Sequence, residues 1–362
     1  MGRRAQRLPV EVIGGLPVVA AFLQELEFGK IINETVPWEG GIPLGTLAEF
    51  MVVNRLLDPQ AQWRLGAWAE ATWLTDFYGV SKEALNDDLL GRALERLAAH
   101  HAAIDVALVR AMIRRFGLRV VQIHYDLSDV ELYGAYERQL RDPTLPPDPC
   151  APQPAYGRPK SGRRDLKRIQ FGVNVTRDGA VPLTHRCFDG NTAEVTTHLG
   201  NLQELRRFVP RSDFLYIADS KLDDEAILLD IDAHGGKFLC AGALLPHLQA
   251  KYLEHADELQ DVDYCPQSQA ALPPERRDRY RAFELREEVR GQVQIEVNGE
   301  VKQRRHRLRY RQIFELQRAG DLAVASLQVA ELTRQIGVDL EQFGVRIERL
   351  AGEVRELVAE FV

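Results

Sequence analysis

The spacing of apolar residues predicts helices in the first 117 residues of the chain. Apolar positions recur there every three or four residues, as on one face of an α-helix. Turn signals such as Gly40-Gly41 and Asp58-Pro59 separate these runs. The predicted helices cover 18–26, 44–57, 85–97 and 104–116, with an aromatic-rich stretch at 67–78. We expect those aromatic residues to form a core rather than to stack on nucleic acid bases.

The pattern changes at Leu118 to short runs rich in β-branched and aromatic residues, which predict strands. The predicted strands cover 119–127, 169–176, 181–187, 213–218 and 237–241. Asp178-Gly179 suits the turn between the second and third strands, and helices are predicted at 193–208 and 222–234. Three strands, a helix, a strand, a helix and a strand make an RNase H-like order that lacks its closing helix.

Beyond residue 245 the pattern predicts hairpins and then a helix. Turns are predicted at Arg290-Gly291 and Asn298-Gly299, a strand at 308–314 and a helix from Asp321 to Phe361. The fold class is therefore mixed, α+β with α/β. Three domains are predicted: a helical domain at 1–117, an RNase H-like core at 118–245 and an insertion at 246–362.

Two aspartates stand at the ends of predicted buried strands, each close to a serine. Asp126 follows His124-Tyr125, and Asp219 follows Ile217-Ala218. A carboxylate in this setting is costly unless it is paired or binds a metal ion. Either residue alone could simply cap the turn after its strand. Together, on neighbouring strands, they would form the centre of a two-metal phosphoryl-transfer site. His124 lies on the same strand face, where it is either a ligand or a core histidine.

Basic residues concentrate in two runs although the net charge is −7. The position of charge matters more than its total for binding nucleic acid. Each run alone could be a solvated face, but two of them, one lying between the two aspartates, favour phosphate contacts. The first run comprises Arg158, Lys160, Arg163, Arg164, Lys167 and Arg168. The second comprises Lys302, Arg304, Arg305, Arg307, Arg309 and Arg311.

These motifs, in this order, resemble a DDE transposase of bacterial insertion sequences, of the cut-and-paste branch. The resemblance spans roughly residues 10 to 245 and is specific because several motifs keep their order. The helical region contributes Asn54 to Leu57, Trp68 and Leu85 to Leu94. The strings that carry the resemblance in the core are Asp126-Leu127-Ser128-Asp129, Gly157 to Arg168, Asp189-Gly190-Asn191 and Ala218-Asp219-Ser220-Lys221.

The resemblance implies that Asp126 and Asp219 are the first and second acids of a catalytic triad that binds Mg²⁺ or Mn²⁺. It implies binding of terminal inverted repeats, metal-dependent strand cleavage and transfer, and a homo-oligomer on DNA that engages element ends and target. The third acid is unknown. Glu348 is the nearest candidate, but the family's Tyr before it and Lys after it are missing, and the last lysine is Lys302. We therefore expect a truncated copy, whose enzymatic activity stays open.

Two other functions remain open at this point. One is a non-catalytic DNA-binding remnant or regulator of transposition, which keeps the fold without the third acid. The other is a protein-interaction module built on the helical region, with its aromatic residues as the contact.

Composition agrees with a globular protein, with 45% hydrophobic and 27% charged residues. The chain has no apolar run long enough for a membrane span. The four cysteines contain no Cys-x-x-Cys pair, which favours reduced thiols in the cytoplasm. The resemblance to a bacterial transposase implies association with the nucleoid when the protein is bound to DNA. The uncharged run 12–23 is interrupted by Gly14-Gly15 and Pro17, so we expect no signal peptide.

Overall fold

The structure, a computed structural model, divides into two compact units. The first ends at Leu118 and the second begins at Arg119. The further division at residue 245 stays a prediction. The described residues are 14–136, 152–158, 161–177, 179–209, 212–242, 246–265, 267–297, 300–317 and 322–327. Within these ranges no helix is both long and apolar enough to cross a membrane.

The first unit is helical, as predicted. Its helices are α1 (Leu16–Glu25), α2 (Phe28–Thr35), α3 (Leu44–Leu57), α4 (Leu65–Ala71), α5 (Leu74–Tyr78), α6 (Asp87–Ala99) and α7 (His101–Phe116). Helix α3 is central, because Leu44, Leu47, Phe50 and Val53 are fully buried. The nine residue steps from Leu44 to Val53 make about two and a half turns, so these side chains point to different sides and the core surrounds the helix.

Two glycines let α2 and α3 approach backbone to backbone. A Cβ on Gly45 would lie 2.1 Å from the carbonyl oxygen of Gly29. Polar side chains close the same contact, since the Gly45 N–H donates to Asn33 at 2.7 Å and the Gly29 N–H donates to Glu49 at 3.0 Å. The close approach therefore depends on the absence of a side chain at these positions.

The aromatic stretch contributes mainly to the core. Phe77 and Tyr78 pack against the buried cluster, and Trp68 is 9% exposed. The rings of Phe50 and Tyr78 lie 4.8 Å apart. The prediction of a core role is confirmed for these residues but is wrong for Trp73, whose side chain is 40% exposed.

The second unit contains one mixed sheet and three α-helices among its described residues. The strands are β1 (Gln122–Leu132), β2 (Lys167–Thr176), β3 (Pro182–Asp189), β4 (Leu215–Ala218), β5 (Lys237–Gly242), β6 (Gln260–Val262), β7 (Tyr280–Val297), β8 (Glu300–Gln317) and β9 (Leu322–Leu327). The helices are α8 (Thr197–Phe208), α9 (Glu225–Ala233) and α10 (Pro246–Glu254). The sheet order is β3-β2-β1-β4-β5-β9-β8-β7-β6.

The first five strands have the predicted order and directions. β1, β2 and β3 are antiparallel neighbours, whereas β4 and β5 run parallel to β1. Helix α8 connects β3 to β4, and α9 connects β4 to β5. The prediction of a helical region followed by a mixed five-stranded RNase H-like sheet is confirmed.

The remaining strands extend the same sheet, and here two predictions are wrong. No turn occurs at Arg290-Gly291, because β7 runs through it. A Cβ on Gly291 would lie 2.6 Å from the Leu229 side chain on α9, so this glycine makes room for a helix. The helix predicted from Asp321 is also wrong at its start, where β9 pairs with β5 and β8. The predicted hairpin at Asn298-Gly299 agrees with the pairing of Val297 with Glu300.

Candidate metal and nucleic-acid site

The register of two parallel strands brings Asp126 and Asp219 to the same level of the sheet. β1 pairs with β4 from Gln122–Leu215 to His124–Ile217. Continuing this register by two positions sets Asp126 opposite Asp219, whose backbone is extended with φ −72° and ψ −167°. Neighbouring strands lie about 4.8 Å apart, and aligned residues of parallel strands share one face. The two aspartates therefore share one face of the sheet on neighbouring central strands. Asp219 directly follows β4, but the prediction that Asp126 ends its strand is wrong, because β1 continues through pairing with β2 to Leu132.

Local hydrogen bonding orients the Asp219 carboxylate. Its Oδ1 accepts from the Lys221 N–H at 2.8 Å, which caps the 3-10 turn Ser220–Leu222. Leu222 in that turn is fully buried, so the turn is anchored in the core. Asp219 therefore caps the turn that follows its strand, which is the structural role considered above as the alternative to binding a metal ion. The same hydrogen bond fixes the position of its carboxylate.

Asp126 lies in the middle of its strand between two buried neighbours. Tyr125 is 2% exposed and Leu127 is 3% exposed, and both point to the opposite sheet face. The Oδ2 atom of Asp126 is itself shielded from solvent. His124 shares the face of Asp126 by alternation, and its Nε2 lies 3.1 Å from the Gln122 amide nitrogen. The carboxylate is thus held on a rigid element, with its chain neighbours turned away from it.

The donor set at this edge fits a hard divalent cation only in part. Mg²⁺ and Mn²⁺ prefer carboxylate oxygens and complete their shells with water. Asp126 and Asp219 supply such oxygens. Among the residues that the structure describes, no group of three or more His, Cys, Asp or Glu side chains is arranged to hold a metal ion. Glu348, the candidate third acid, lies outside the described residues.

The first basic run, Arg158 to Arg168, which we call the basic block, precedes β2 and ends in the first two residues of that strand. β2 begins at Lys167 opposite Leu132, the last residue of β1. Arg168, the last residue of the block, pairs with Glu131, so at about 3.4 Å per residue it lies about 17 Å along the strand direction from Asp126.

The block divides into exposed and buried members. Arg158, Arg163 and Arg164 are exposed. Arg163 forms two hydrogen bonds with Asp165, at 2.9 and 2.8 Å, and these lower the pKa of Asp165 to about 2. Lys160 lies outside the described residues.

The last two basic residues of the block are engaged with the protein. Lys167 donates from Nζ to the carbonyl oxygens of Ala135 at 2.5 Å and Tyr136 at 2.6 Å. Arg168 is 7% exposed, pairs with Asp129 and donates to the carbonyl oxygens of Gly190 and Arg158. The structure therefore places Arg168 as a support for the block, with its guanidinium turned inward.

Four members of the second basic run share one face of the long β7–β8 ribbon, namely Arg305, Arg307, Arg309 and Arg311, whereas Lys302 and Arg304 alternate to the other face. Along β8, Leu308 is buried while Arg305, Arg307 and Arg309 are exposed, as strand alternation requires. Glu288 on β7 accepts from three arginines, Arg290, Arg307 and Arg309. These bonds, led by the one from Arg290, lower the pKa of Glu288 to about 2. One carboxylate thus sits among several cations.

A group of buried polar residues behind the aspartates is not predicted by the sequence patterns above. It includes Asn174 on β2 and His198 and Asn201 on α8, which are all at most 5% exposed. The available signal was an asparagine inside the apolar run of β2, followed by polar residues at helical spacing on α8. Neither pattern alone predicts a hydrogen-bonded group, because the group forms only where β2 and α8 face each other in the fold.

Comparisons with known proteins give one match by sequence. Residues 8–105 match a family model described as a domain of unknown function, DUF4277. No curated protein matches the chain.

Solved transposase structures overlay only loosely. A Mos1 transposase paired-end complex with left transposon end is 12% identical, with 65% of this chain and 69% of that chain covered at a TM-score of 0.22. A pre-cleavage Mos1 transpososome is 15% identical, with 61% of this chain and 68% of that chain covered at a TM-score of 0.23. A piggyBac transposase synaptic complex with hairpin DNA is 9% identical, with 90% of this chain and 64% of that chain covered at a TM-score of 0.38. Scores at this level assign neither fold nor function, so the functional assignment rests on this chain's own residues.

Proposed function

We propose that this chain is a DDE-type transposase of the insertion-sequence kind, which binds DNA and holds Mg²⁺ or Mn²⁺ at Asp126 and Asp219. The observation that carries the proposal is the register of the parallel strands β1 and β4, which, continued by two positions, sets Asp126 opposite Asp219. The proposal includes a homo-oligomer on terminal inverted repeats, engagement of target DNA and a cytoplasmic location.

The two aspartates would hold the cation between their carboxylates. Bound there, a divalent ion would act as a Lewis acid that activates a water or a 3′-hydroxyl and stabilises charge at the scissile phosphate. The chain's own contribution is rigidity. Asp126 stands in the centre of a strand, and the Asp219 carboxylate is oriented by the Lys221 N–H. Groups held in this way need little reorganisation when a reactive phosphate arrives.

Two basic surfaces would hold the DNA backbone. Arg158, Arg163 and Arg164 are exposed in the segment before β2, where Ser161 hydrogen-bonds to Glu131 near the end of β1. We include Lys160 and Lys167 in this surface and assign Arg168 a positioning role, because its side chain is buried. The arginines of the β7–β8 ribbon form the second surface. Contacts of this kind supply affinity without sequence information, so they account for attachment rather than for choice of site.

DNA binding without cleavage is the second candidate function. The observation that favours it is that the described residues offer two acids at this edge rather than three. Two carboxylates alone hold a metal pair poorly, because they supply few fixed oxygens and repel each other. Such a protein would still occupy DNA ends through its basic surfaces.

Cleavage of a DNA end that carries the element's inverted repeat distinguishes the two candidates. With Mg²⁺, we expect any cleavage by the wild-type protein to be lost in Asp126→Asn and Asp219→Asn. It should persist in Asp261→Asn, an exposed aspartate on β6 at the far edge of the sheet. Binding without cleavage would select the second function. Cleavage that is lost in Glu348→Gln would identify Glu348 as the third acid.

Salt dependence tests the DNA surfaces separately from cleavage. Arg163→Ala and Arg164→Ala should each flatten the slope of log affinity against log salt by about 0.9, the value expected for a single phosphate contact. Unchanged slopes in both variants would mean that this loop is only a solvated face.

A further inference from the structure

Seven buried polar side chains form one group on the sheet face that is turned away from Asp126. None of them is more than 5% exposed. Four lie on four neighbouring strands and three on the helix that covers them. They are Tyr125, Asn174, Thr184 and Tyr216 on β1 to β4, and Thr197, His198 and Asn201 on α8.

An amide pair forms the centre of this group. Asn174 donates to Asn201 at 2.6 Å, and Asn201 donates back to Asn174 at 2.9 Å. Asn174 also donates to the Thr184 hydroxyl at 2.8 Å, and Asn201 to the Tyr216 hydroxyl at 2.9 Å. The Nδ1 atom of His198 lies 3.2 Å from the same Tyr216 oxygen. Three strands and the helix are thereby joined through hydrogen bonds.

The first strand joins the group through Tyr125. Its hydroxyl donates to Thr197 at 3.0 Å, and its ring stacks on that of Tyr216 with centroids 6.1 Å apart. The phenol fits because its diagonal neighbour on β2, Gly172, which pairs with Leu127, has no side chain. A Cβ on Gly172 would lie 2.7 Å from the Tyr125 hydroxyl oxygen. Tyr125 directly precedes Asp126, so the hydrogen bond and the ring contact of Tyr125 constrain the backbone that carries the Asp126 carboxylate.

The group stays uncharged at neutral pH. Burial lowers the pKa of His198 to about 4 and raises the pKa of both tyrosines above their usual value. Apart from Nε2 of His198, which is buried without a hydrogen-bond partner among the described residues, the polar side chains of this neutral network bond to one another, and a shift of β1 against β4 would break buried hydrogen bonds.

We infer that Tyr125, Thr197, Asn201 and Tyr216 are positioning residues that set the separation of the Asp126 and Asp219 carboxylates from behind the sheet. The inference rests on the proposed function, in which this pair holds a divalent cation. Each aspartate lies within three residues of a network tyrosine on its own strand. The network ties those tyrosines to one helix. It therefore acts through the backbone of β1 and β4 and does not touch the metal.

Calorimetric titration of the full chain with Mn²⁺ alone tests this inference. Thr197→Val keeps the size of the side chain but removes the hydroxyl that accepts from Tyr125. We expect its Mn²⁺ dissociation constant to rise about tenfold, the lower end of the loss seen when groups that support metal ligands are removed. Tyr125→Phe should show a similar rise. Thr197→Ser keeps a hydroxyl and should restore the wild-type constant to within about twofold.

Tyr310→Phe supplies a matched control, because it removes a tyrosine hydroxyl from β8 in the same unit but outside the network. We expect no change in its Mn²⁺ constant. Wild-type Mn²⁺ affinity in both Thr197→Val and Tyr125→Phe, with a cooperative thermal transition retained, would overturn the inference while leaving the proposed function intact. If the wild-type chain binds no Mn²⁺, or binds it equally well in Asp126→Asn, the proposed function fails and the inference fails with it.

Discussion

Arg168 and Asp129 form an ion pair inside the second unit, with Nη1 and Oδ2 2.5 Å apart and side chains 8% and 13% exposed. The pair joins the start of β2 to the later part of β1. The same guanidinium donates to the carbonyl oxygens of Gly190 and Arg158. One side chain therefore connects β1 to the segments that contain Gly190 and Arg158.

We expect Arg168→Ala to destabilise the second unit by about 3 kcal/mol, because removing one partner of a buried pair leaves the other charge uncompensated. Urea unfolding measures this change. Arg164→Ala, at an exposed position in the same block, should change the free energy of unfolding by less than about 0.5 kcal/mol. A loss of less than about 1 kcal/mol for Arg168→Ala would show that the pair contributes little and that Arg168 is available to DNA.

Alanine substitutions at two glycines in helices of the first unit should change its stability in opposite directions. Gly45→Ala would place a Cβ 2.1 Å from the Gly29 carbonyl oxygen, so we expect a loss of about 3 kcal/mol from overpacking against backbone. A Cβ on Gly91 in α6 would meet no atom within 4 Å, so Gly91→Ala should stabilise by about 0.5–1 kcal/mol through helix propensity. Thermal unfolding of both variants measures these two changes in stability. A stable Gly45→Ala protein would contradict the close packing of α2 on α3.

Buried His198 predicts a pH dependence of stability. Burial lowers its pKa to about 4 in the folded state, against 6.5 in the unfolded chain. Below pH 6.5 the unfolded state therefore binds a proton that the folded state does not, and stability falls as pH drops towards 4. Between about pH 7 and pH 5 the loss from this group should be about 2 kcal/mol, given about 1.36 kcal/mol per pKa unit.

Removing the titrating group isolates this effect from the other acids and histidines. In His198→Gln, the decline in the free energy of unfolding over the same range, about pH 7 to pH 5, should be smaller than in the wild type by that amount. Equal declines in the two proteins would mean that His198 is protonated in the folded state.

The Glu288 cluster predicts a variant that binds DNA more tightly. Three arginines donate to this carboxylate, so it competes with phosphate for them. Glu288→Gln should raise duplex affinity and steepen the salt slope by about 0.9 for each additional phosphate that the freed arginines bind. Fluorescence anisotropy at several salt concentrations measures both quantities. Glu254→Gln, which removes an exposed glutamate on α10, is the charge-matched control. Weaker binding by Glu288→Gln alone would show that the cluster has a structural role and does not bind DNA.

Local patterns predict most helices and the first five strands, because the spacing of apolar residues follows which face of each element is buried. The register of Asp126 and Asp219 follows from the same strands and their order. Gly291 resembles a turn residue, since the contact that explains it comes from Leu229, far away in the chain. β9 resembles a helix in sequence because its strand form depends on pairing with β5 and β8. Arg168 is indistinguishable from its exposed neighbours until its partner Asp129 is located.

Mn²⁺ titration of the full chain and three aspartate variants tests the proposed metal site most directly. We predict a Mn²⁺ site in the wild-type protein that is weakened at least about tenfold in both Asp126→Asn and Asp219→Asn, because each removes an anionic oxygen ligand. Asp261→Asn should bind as the wild type does. Wild-type Mn²⁺ affinity in both Asp126→Asn and Asp219→Asn would contradict the assignment of this pair as the metal site.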